Sequence, residues 1–211
     1  FSTDDTLIIA KKYNVKIYKH HEPNLGKQKT YAIKKTSNPW VLILDSDERV
    51  SEKLASEIKR ILSRKTKYTA FRIPYQNHFL GKPVRYGGEN YKMIRLFNKK
   101  TSKMTLSLVH EHIESDQSDI GLLKNKILHY SYRSLPQMFS KFTNYALREA
   151  KQKKENREKI TFSKLFLYAP HMFYARFIKD HGYKDGLFRI PLDIGFAYME
   201  LITYWSLLFM K

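Results

Sequence analysis

The sequence contains no cysteine, so it has no disulfide framework, no thiolate metal site and no cysteine nucleophile, which suits a reducing compartment. Glycine and proline are sparse, at 8 and 7 of 211 residues, and this excludes collagen-like and low-complexity chains. No uncharged apolar run reaches the roughly 18 residues that a membrane span needs. The best candidate, residues 190–210, is interrupted by Asp193 and Glu200, so no transmembrane helix is predicted. Acidic residues are few as well, 20 against 39 lysines and arginines, for a net charge of +19. That imbalance points to polyanionic partners or a negatively charged surface. An initial methionine and a signal-peptide pattern are also missing, so the chain reads as one whose natural start lies upstream of Phe1.

What is present is a packed globule. Hydrophobic residues make up 42% of a 25.2 kDa chain and aromatics 14%, enough for one large domain or a compact domain with an appendage. The positive charge is blocked: residues 51–110 carry 14 basic and 3 acidic groups and residues 141–189 carry 12 and 5, around a near-neutral middle. Ser2 to Asp5 are capping types ahead of a short helix ending near Tyr13, and Val15 to Tyr18 alternate as a strand. Gly26 opens a second helix through Lys35, which Asn38-Pro39 stops. The continuous apolar run Trp40-Val41-Leu42-Ile43-Leu44 then reads as a strand buried on both faces of a parallel sheet. Helix and strand alternating at this spacing predict an open α/β sheet.

Ser51 caps an amphipathic helix with Leu54, Ile58, Ile61 and Leu62 on one face. From Tyr68 the period becomes two, with Phe71, Ile73 and Tyr75 on one side, a turn at Gly81-Lys82-Pro83, and further strands at 93–97 and 104–113. Ser134 and Pro136 start a long helix, followed by aromatic-rich helical segments at about 162–181 and 192–210.

The apolar strand runs directly into Asp45-Ser46-Asp47-Glu48-Arg49. In open α/β sheets ligands bind beyond the carboxyl ends of the strands, so these acids stand where a site forms. In a tight turn Asp45 and Asp47 can approach one hard cation, Mg²⁺ or Mn²⁺, with open positions left for a diphosphate. A solvated loop with a capping acid is the alternative for any Asp-x-Asp. Downstream, His110-Glu111-His112 lies in a predicted strand, where alternation sends Glu111 to the face opposite both histidines unless a bulge intervenes. His20, His21, His78, His171 and His181 lack ligand spacing and read as surface or packed imidazoles.

Taken in order, the motifs resemble those of bacterial family 2 glycosyltransferases, and within them the lipopolysaccharide-core glucosyltransferase type with its Asp-x-Asp-Glu-Arg signature. Ser2-Thr3-Asp4-Asp5-Thr6 is similar to the family's Ser-x-Asp-x-Thr turn, and Gly26-Lys27-Gln28-Lys29-Thr30-Tyr31-Ala32 to its Gln-Lys-Asn-x-Ala helix. Residues 40–50 follow the Trp-Val-Leu-x-Leu-Asp-x-Asp-Glu-Arg-Val pattern. Gly88, Arg95-Leu96-Phe97, Val109-His110-Glu111 and His129-Tyr130 fall in the family's order. Two departures are visible: Thr30 stands where the family usually has Asn, and the strand and helix with which members begin are absent before Phe1.

The resemblance implies a GT-A-like α/β fold, an open, mostly parallel mixed sheet flanked by helices in Rossmann fashion. Residues 1–133 would form the catalytic domain, without its N-terminal nucleotide-binding strand, and 134–211 a C-terminal helical region. It implies inverting, single-displacement transfer from a nucleotide-sugar donor, UDP-linked, to a glycolipid or oligosaccharide acceptor. Asp45 and Asp47 would hold the divalent cation, and Gln28, Lys29 and Arg95 would contact the donor. Glu48 and Arg49 would orient the metal loop and donor through hydrogen bonds behind the ligands. Glu111 would act as base beside His110. The aromatic, basic C-terminal segments, with Lys164, Arg176, Lys179, Lys184 and Arg189, suit an anionic bilayer surface, which places the enzyme on the cytoplasmic, inner face of the plasma membrane. Capping of the sheet, or a homo-oligomer through 194–210, is the other use of those helices. The net charge by itself also fits a nucleic-acid-binding protein, but no nucleic-acid module is recognisable and none is expected as a partner. An inactive transferase-like assembly partner is a third reading.

Overall fold

The computed structural model describes residues 2, 4–105 and 112–210. The first segments are helical where predicted. Helix α1 is Thr6–Lys11, with Asp4 rather than its neighbour accepting from the Thr6 amide and hydroxyl. Helix α2 is Leu25–Lys35, capped by Asn24, whose side chain accepts from the Lys27 amide. The strand expected at Val15 to Tyr18 does not form. That stretch finds no ladder partner among the described residues, and a strand exists only where its main chain is paired.

The apolar run gives β1, Trp40–Leu42, and the acidic turn leads into β2, Glu48–Val50. Helix α3, Glu52–Leu62, is capped by Ser51 and buries Leu54 completely, with Ile58, Ile61 and Leu62 packed behind it as its periodicity predicts. The remaining strands are β3 (Ala70–Phe79), β4 (Lys82–Val84), β5 (Lys92–Asn98), β6 (Lys103–Met104), β7 (Ile113–Glu114), β8 (Ile120–Leu122) and β9 (Ile127–Tyr132). β6 and β7 form a two-stranded ladder at the ends of the predicted strand 104–113, whose centre lies outside the described residues.

The main sheet runs β1-β5-β3-β9-β2, with β4 and β8 attached to β3. It is mixed, but less parallel than predicted. Among the described residues only β3–β8 and β3–β9 are parallel, and β1 pairs antiparallel to β5 as the end strand of the path. The reason is local: β1 is followed not by a crossover helix but by the turn 43–47, which carries the chain to β2 at the far end of the sheet. The ten-residue β3 is the spine, flanked by β5 and β8 along its first half and by β4 and β9 along its second, so the sheet curls around it. Phe71, Ile73, Tyr75, Leu96, Leu123 and Ile127 close the core on Leu54.

Helix α4, Leu135–Glu155, starts at Ser134 as predicted and buries Met138, Phe142, Ala146 and Ala150. The predicted helix 162–181 is broken into α5 (Phe162–Phe166), α6 (Tyr168–Tyr174) and a wide turn over 175–179. Helix α7, Ile190–Phe209, packs on α4, where Gly195 leaves room for Phe142: a Cβ there would lie 2.6 Å from the ring. Phe79 and Val84 of the sheet meet Met138, Phe142 and Leu192 of these helices in one buried cluster. No helix among the described residues is long and apolar enough to cross a membrane. One expectation for this region fails. Arg176 and Arg189, read as cations for headgroups, are drawn inward against Glu89, Asp185 and Asp193, and Arg189 is fully buried.

Candidate functional site

The turn between β1 and β2 crosses the sheet from one end to the other, and each strand it passes contributes a side chain. β5 offers Arg95, β3 Tyr75 and β9 His129, while α2 brings Lys29 and α4 brings Lys141. These groups line a cavity of about 280 Å³ together with Asp45, Asp47 and Glu48.

Glu48 organises the turn. Its backbone amide donates to the Asp45 carbonyl at 3.0 Å, and its carboxylate accepts from the Asp45 amide at 3.0 Å, closing the turn in both directions. The same carboxylate accepts from Tyr75 OH at 2.9 Å and from Arg95 Nη2 at 2.7 Å, and it is buried. Arg95 also donates through Nε to Tyr75 OH and through Nη2 to Asp45 at 3.0 Å. One planar guanidinium thus fixes two carboxylates and a phenol, which a lysine point charge cannot do. Burial pushes the Tyr75 phenol far above its ordinary value, so it stays a neutral hydrogen-bond donor.

Asp45 meets Lys29 Nζ at 3.1 Å on its other side. Partial burial would raise its carboxyl, but the charges of Arg95 and Lys29 outweigh that and hold it below the ordinary carboxylate value. Asp47 faces Lys141 Nζ at 3.0 Å and His129 Nε2 at 3.6 Å. Contact with the imidazole, with Lys141 against the opposing effect of burial, holds its carboxyl well below the usual range. Both aspartates are therefore ionised oxygen donors on one cavity, 37% and 23% exposed. Hard carboxylate oxygens of this kind fit a divalent cation whose remaining positions are filled by a ligand. No group of three or more potential metal ligands occurs among the described residues, so a cation here would depend on donor phosphate oxygens.

The structure thus brings Lys29, Asp45, Asp47, Glu48 and Arg95 together and separates two other predicted residues from them. Gln28 points to His20, its side chain bonding the imidazole Nδ1 at 2.7 Å and the His20 carbonyl at 3.2 Å, on the wall of a neighbouring 670 Å³ cavity that also holds Tyr18, Tyr31 and Trp40. Arg49 donates to the Ser46 and Glu48 carbonyls, steadying the turn from outside, and lines a different cavity again. Glu111 and His110 lie outside the described residues. Thr30, in the position where the resemblance calls for Asn, donates its hydroxyl back to the Gly26 carbonyl within α2.

Sequence reasoning missed Tyr75, His129 and Lys141. Lys141 had a signal, since it falls three residues after Met138 and one before Phe142 on the buried face of α4. His129 was noted only for its order in the chain. It is held by Asn77 Oδ1 at 2.9 Å, and Asn77 in turn donates to Glu89 Oε2 at 2.7 Å. Glu89 accepts from Arg176, so a continuous polar chain links the acidic turn to the C-terminal helices.

Sequence comparison finds relatives that are named glycosyltransferases. An uncharacterized glycosyltransferase of Rickettsia conorii is 30% identical over 222 residues, covering 98% of this chain and 77% of the relative. Another, of Rickettsia typhi, is 33% identical over 163 residues, covering 71% of this chain and 55% of the relative, so the match spans about half that relative's length. The lipopolysaccharide core biosynthesis glycosyltransferase LpsC of Rhizobium meliloti is 25% identical over 211 residues, or 96% of this chain and 74% of that protein. The model of glycosyl transferase family 2 matches residues 1–115, which include the turn, Lys29 and Arg95. With that match over more than half its length, the chain belongs to glycosyl transferase family 2, and its curled mixed sheet with flanking helices is the family's GT-A fold.

Proposed function

We propose that the chain is a glycosyltransferase that moves a sugar, with inversion, from a nucleotide-diphosphate donor to an acceptor of the lipopolysaccharide core or another cell-envelope glycan. The observation that carries this reading is the pair Asp45 and Asp47, presented ionised from one braced turn into a cavity ringed by Lys29, Arg95 and Lys141. Family membership supports the reaction class, and the name of the LpsC relative supports the acceptor class.

In this reading Asp45 and Asp47 hold a divalent cation, Mg²⁺ or Mn²⁺, which when bound supplies Lewis-acid charge to the diphosphate. Lys29, Arg95 and Lys141 add positive charge around the same space, where a low-dielectric wall strengthens it. Glu48 and Tyr75 keep Arg95 and the turn in place, so that little reorganisation accompanies the reaction. The bond from the anomeric carbon to the leaving phosphate oxygen breaks as the acceptor oxygen bonds to that carbon, and the acceptor proton passes to Glu111, beside His110. Residues 1–133 carry this chemistry. Residues 134–211 contribute Lys141 and present exposed Phe162, Phe166, Trp205 and Phe209 to a membrane face.

Thermal unfolding with UDP-glucose, with and without Mn²⁺, tests the reading. At a hundredfold excess over Kd a specific donor stabilises by about 2.7 kcal/mol, a rise of roughly 5–10 °C in Tm for a chain of this size. The rise requires the metal and disappears in Asp47→Ala. A variant that keeps the metal-dependent rise refutes the assignment of Asp47.

A further inference from the structure

Lys141 enters the aspartate cavity from α4, beyond the residues 1–115 that the family model matches. Its ammonium donates to Asp47 Oδ2 at 3.0 Å and to the Ser131 carbonyl at 3.0 Å, and it lies 5.8 Å from the centroid of the Tyr132 ring. We propose that Lys141 is shared between two partners: it competes with a divalent cation for Asp47 and, displaced from that carboxylate, turns to the donor diphosphate. This role rests on the transferase reading above and deepens it, because it makes cation and donor bind together.

Charge balance is the first reason. Three carboxylates, Asp45, Asp47 and Glu48, and three strong bases, Lys29, Arg95 and Lys141, line the cavity and cancel one another. A dication by itself therefore brings an excess of positive charge into a partly desolvated space, where like charges repel more than in water. The doubly negative diphosphate of a sugar nucleotide removes that excess. Cation and donor thus favour each other, and an ammonium that pairs with Asp47 is the group that the cation must displace.

Freedom to move is the second. Arg95 is committed to Glu48, Tyr75 and Asp45 at once, and its side chain is 10% exposed against 34% for Lys141. Lys29, on the Asp45 side, is 20% exposed. Lysine is a point charge with three donors on a flexible stem, so it can give up one partner and keep others. The Ser131 carbonyl and the face of Tyr132 are such partners on the same wall. The pair with Asp47 is also not what docks the helix. Met138, Phe142, Ala146 and Ala150 fasten α4 and are all buried, whereas a partly exposed ion pair adds little to stability. Tyr145, one turn further along α4, lines the same cavity with an exposed ring, so this face of the helix is presented to a ligand.

The test uses two assays on the full chain: binding of Mn²⁺ alone, read from the electron paramagnetic resonance signal of the free ion, and binding of UDP-glucose at high Mn²⁺, by calorimetry. Lys141→Met removes the charge and keeps a stem against Tyr132. We expect it to bind Mn²⁺ about tenfold more tightly than wild type, as loss of a neighbouring positive charge predicts, and UDP-glucose about tenfold more weakly. Lys141→Gln, also neutral, follows it, and Lys141→Arg stays nearer to wild type in both assays. A residue that merely fastened α4 to the turn would move the two affinities in the same direction or move neither. Mn²⁺ binding no tighter in Lys141→Met and Lys141→Gln than in wild type, or UDP-glucose binding no weaker, overturns the proposal. Asp47→Ala, measured in parallel, separates the two readings. Metal-dependent UDP-glucose binding that survives there refutes the donor site and this role with it, whereas equal Mn²⁺ affinities in wild type and the neutral variants refute the exchange alone.

Discussion

Two clusters in this molecule are built from the same chemistry and put to different use. In the acidic turn, Arg95 bridges Asp45 and Glu48, and Lys29 and Lys141 complete the charge balance. Between the β4–β5 loop and α7, Arg189 bridges Asp185 and Asp193, and Arg176 joins Asp193 to Glu89. The difference is closure. Arg189 and Asp193 are wholly buried, and the Arg189 guanidinium also donates to the Gly87 carbonyl at 3.0 Å. Gly87 has a φ of 62°, and a Cβ on it would lie 2.1 Å from Nη2, so glycine is required twice over. Nothing can enter. In the turn, the side chains of Asp45, Asp47 and Lys141 remain between 23% and 37% exposed and line a cavity. A sealed ion cluster fastens helices to a sheet, whereas an open one has room to exchange its partners for a ligand.

The widest gap between the two should appear in stability. Asp193→Ala removes the carboxylate that two buried guanidiniums share, leaving Arg189 only Asp185 and Glu89 and Arg176 only Glu89, and breaking into such a buried cluster costs up to about 3–5 kcal/mol. Urea unfolding monitored by circular dichroism should register most of that sum. Because Arg176 also holds Glu89, the same variant should loosen the polar chain to His129, which amide exchange in β9 would detect.

Asp45→Asn should behave in the opposite way. Asp45 is itself 37% exposed and Arg95 keeps its pair with Glu48, and partly exposed pairs contribute only about 0–1 kcal/mol, so unfolding should shift little. Sugar transfer, in contrast, should fall by about a hundredfold or more, the usual consequence of removing one charge from a preorganised site. A loss of stability equal to that of Asp193→Ala would make the turn another fastening and remove the distinction.

This contrast also marks what the sequence makes legible. Asp45 and Asp47 are visible because a buried apolar strand can end in acids only at an edge where something is bound or solvated, and Glu48 and Arg95 follow from the motif order. The fold class follows from the alternation of helix and strand up to Leu62. Strand direction does not, because an apolar run reads the same in either orientation, so β1 is antiparallel against expectation. His129 and Lys141 are hidden for a topological reason: they reach Asp47 across 82 and 94 residues, only after β9 inserts between β3 and β2. Arg189 is misread because its i, i+4 spacing from Asp185 and Asp193 looks the same on a surface helix as in a sealed cluster. Burial separates those cases, and burial depends on the loop containing Gly87.

Glu57 sharpens the comparison because it is a third kind of carboxylate, satisfied by dipoles rather than cations. It accepts from the Lys124 amide at 3.0 Å, the Asn125 amide at 2.9 Å and Asn125 Nδ2 at 2.8 Å, which ties α3 to the β8–β9 loop. Burial opposes its ionised form, but these hydrogen bonds prevail and lower its pKa. The folded value being the lower one, the contribution is fully present above the unfolded value of about 4.3 and is lost as pH falls through the folded value. Glu57→Gln should therefore cost about 1 kcal/mol at pH 7, and the difference from wild type should shrink steadily below about pH 4. Urea titrations from pH 7 to pH 3 measure it. A difference that stays constant over that range would mean that the shape of the side chain, and not its charge, joins α3 to the loop.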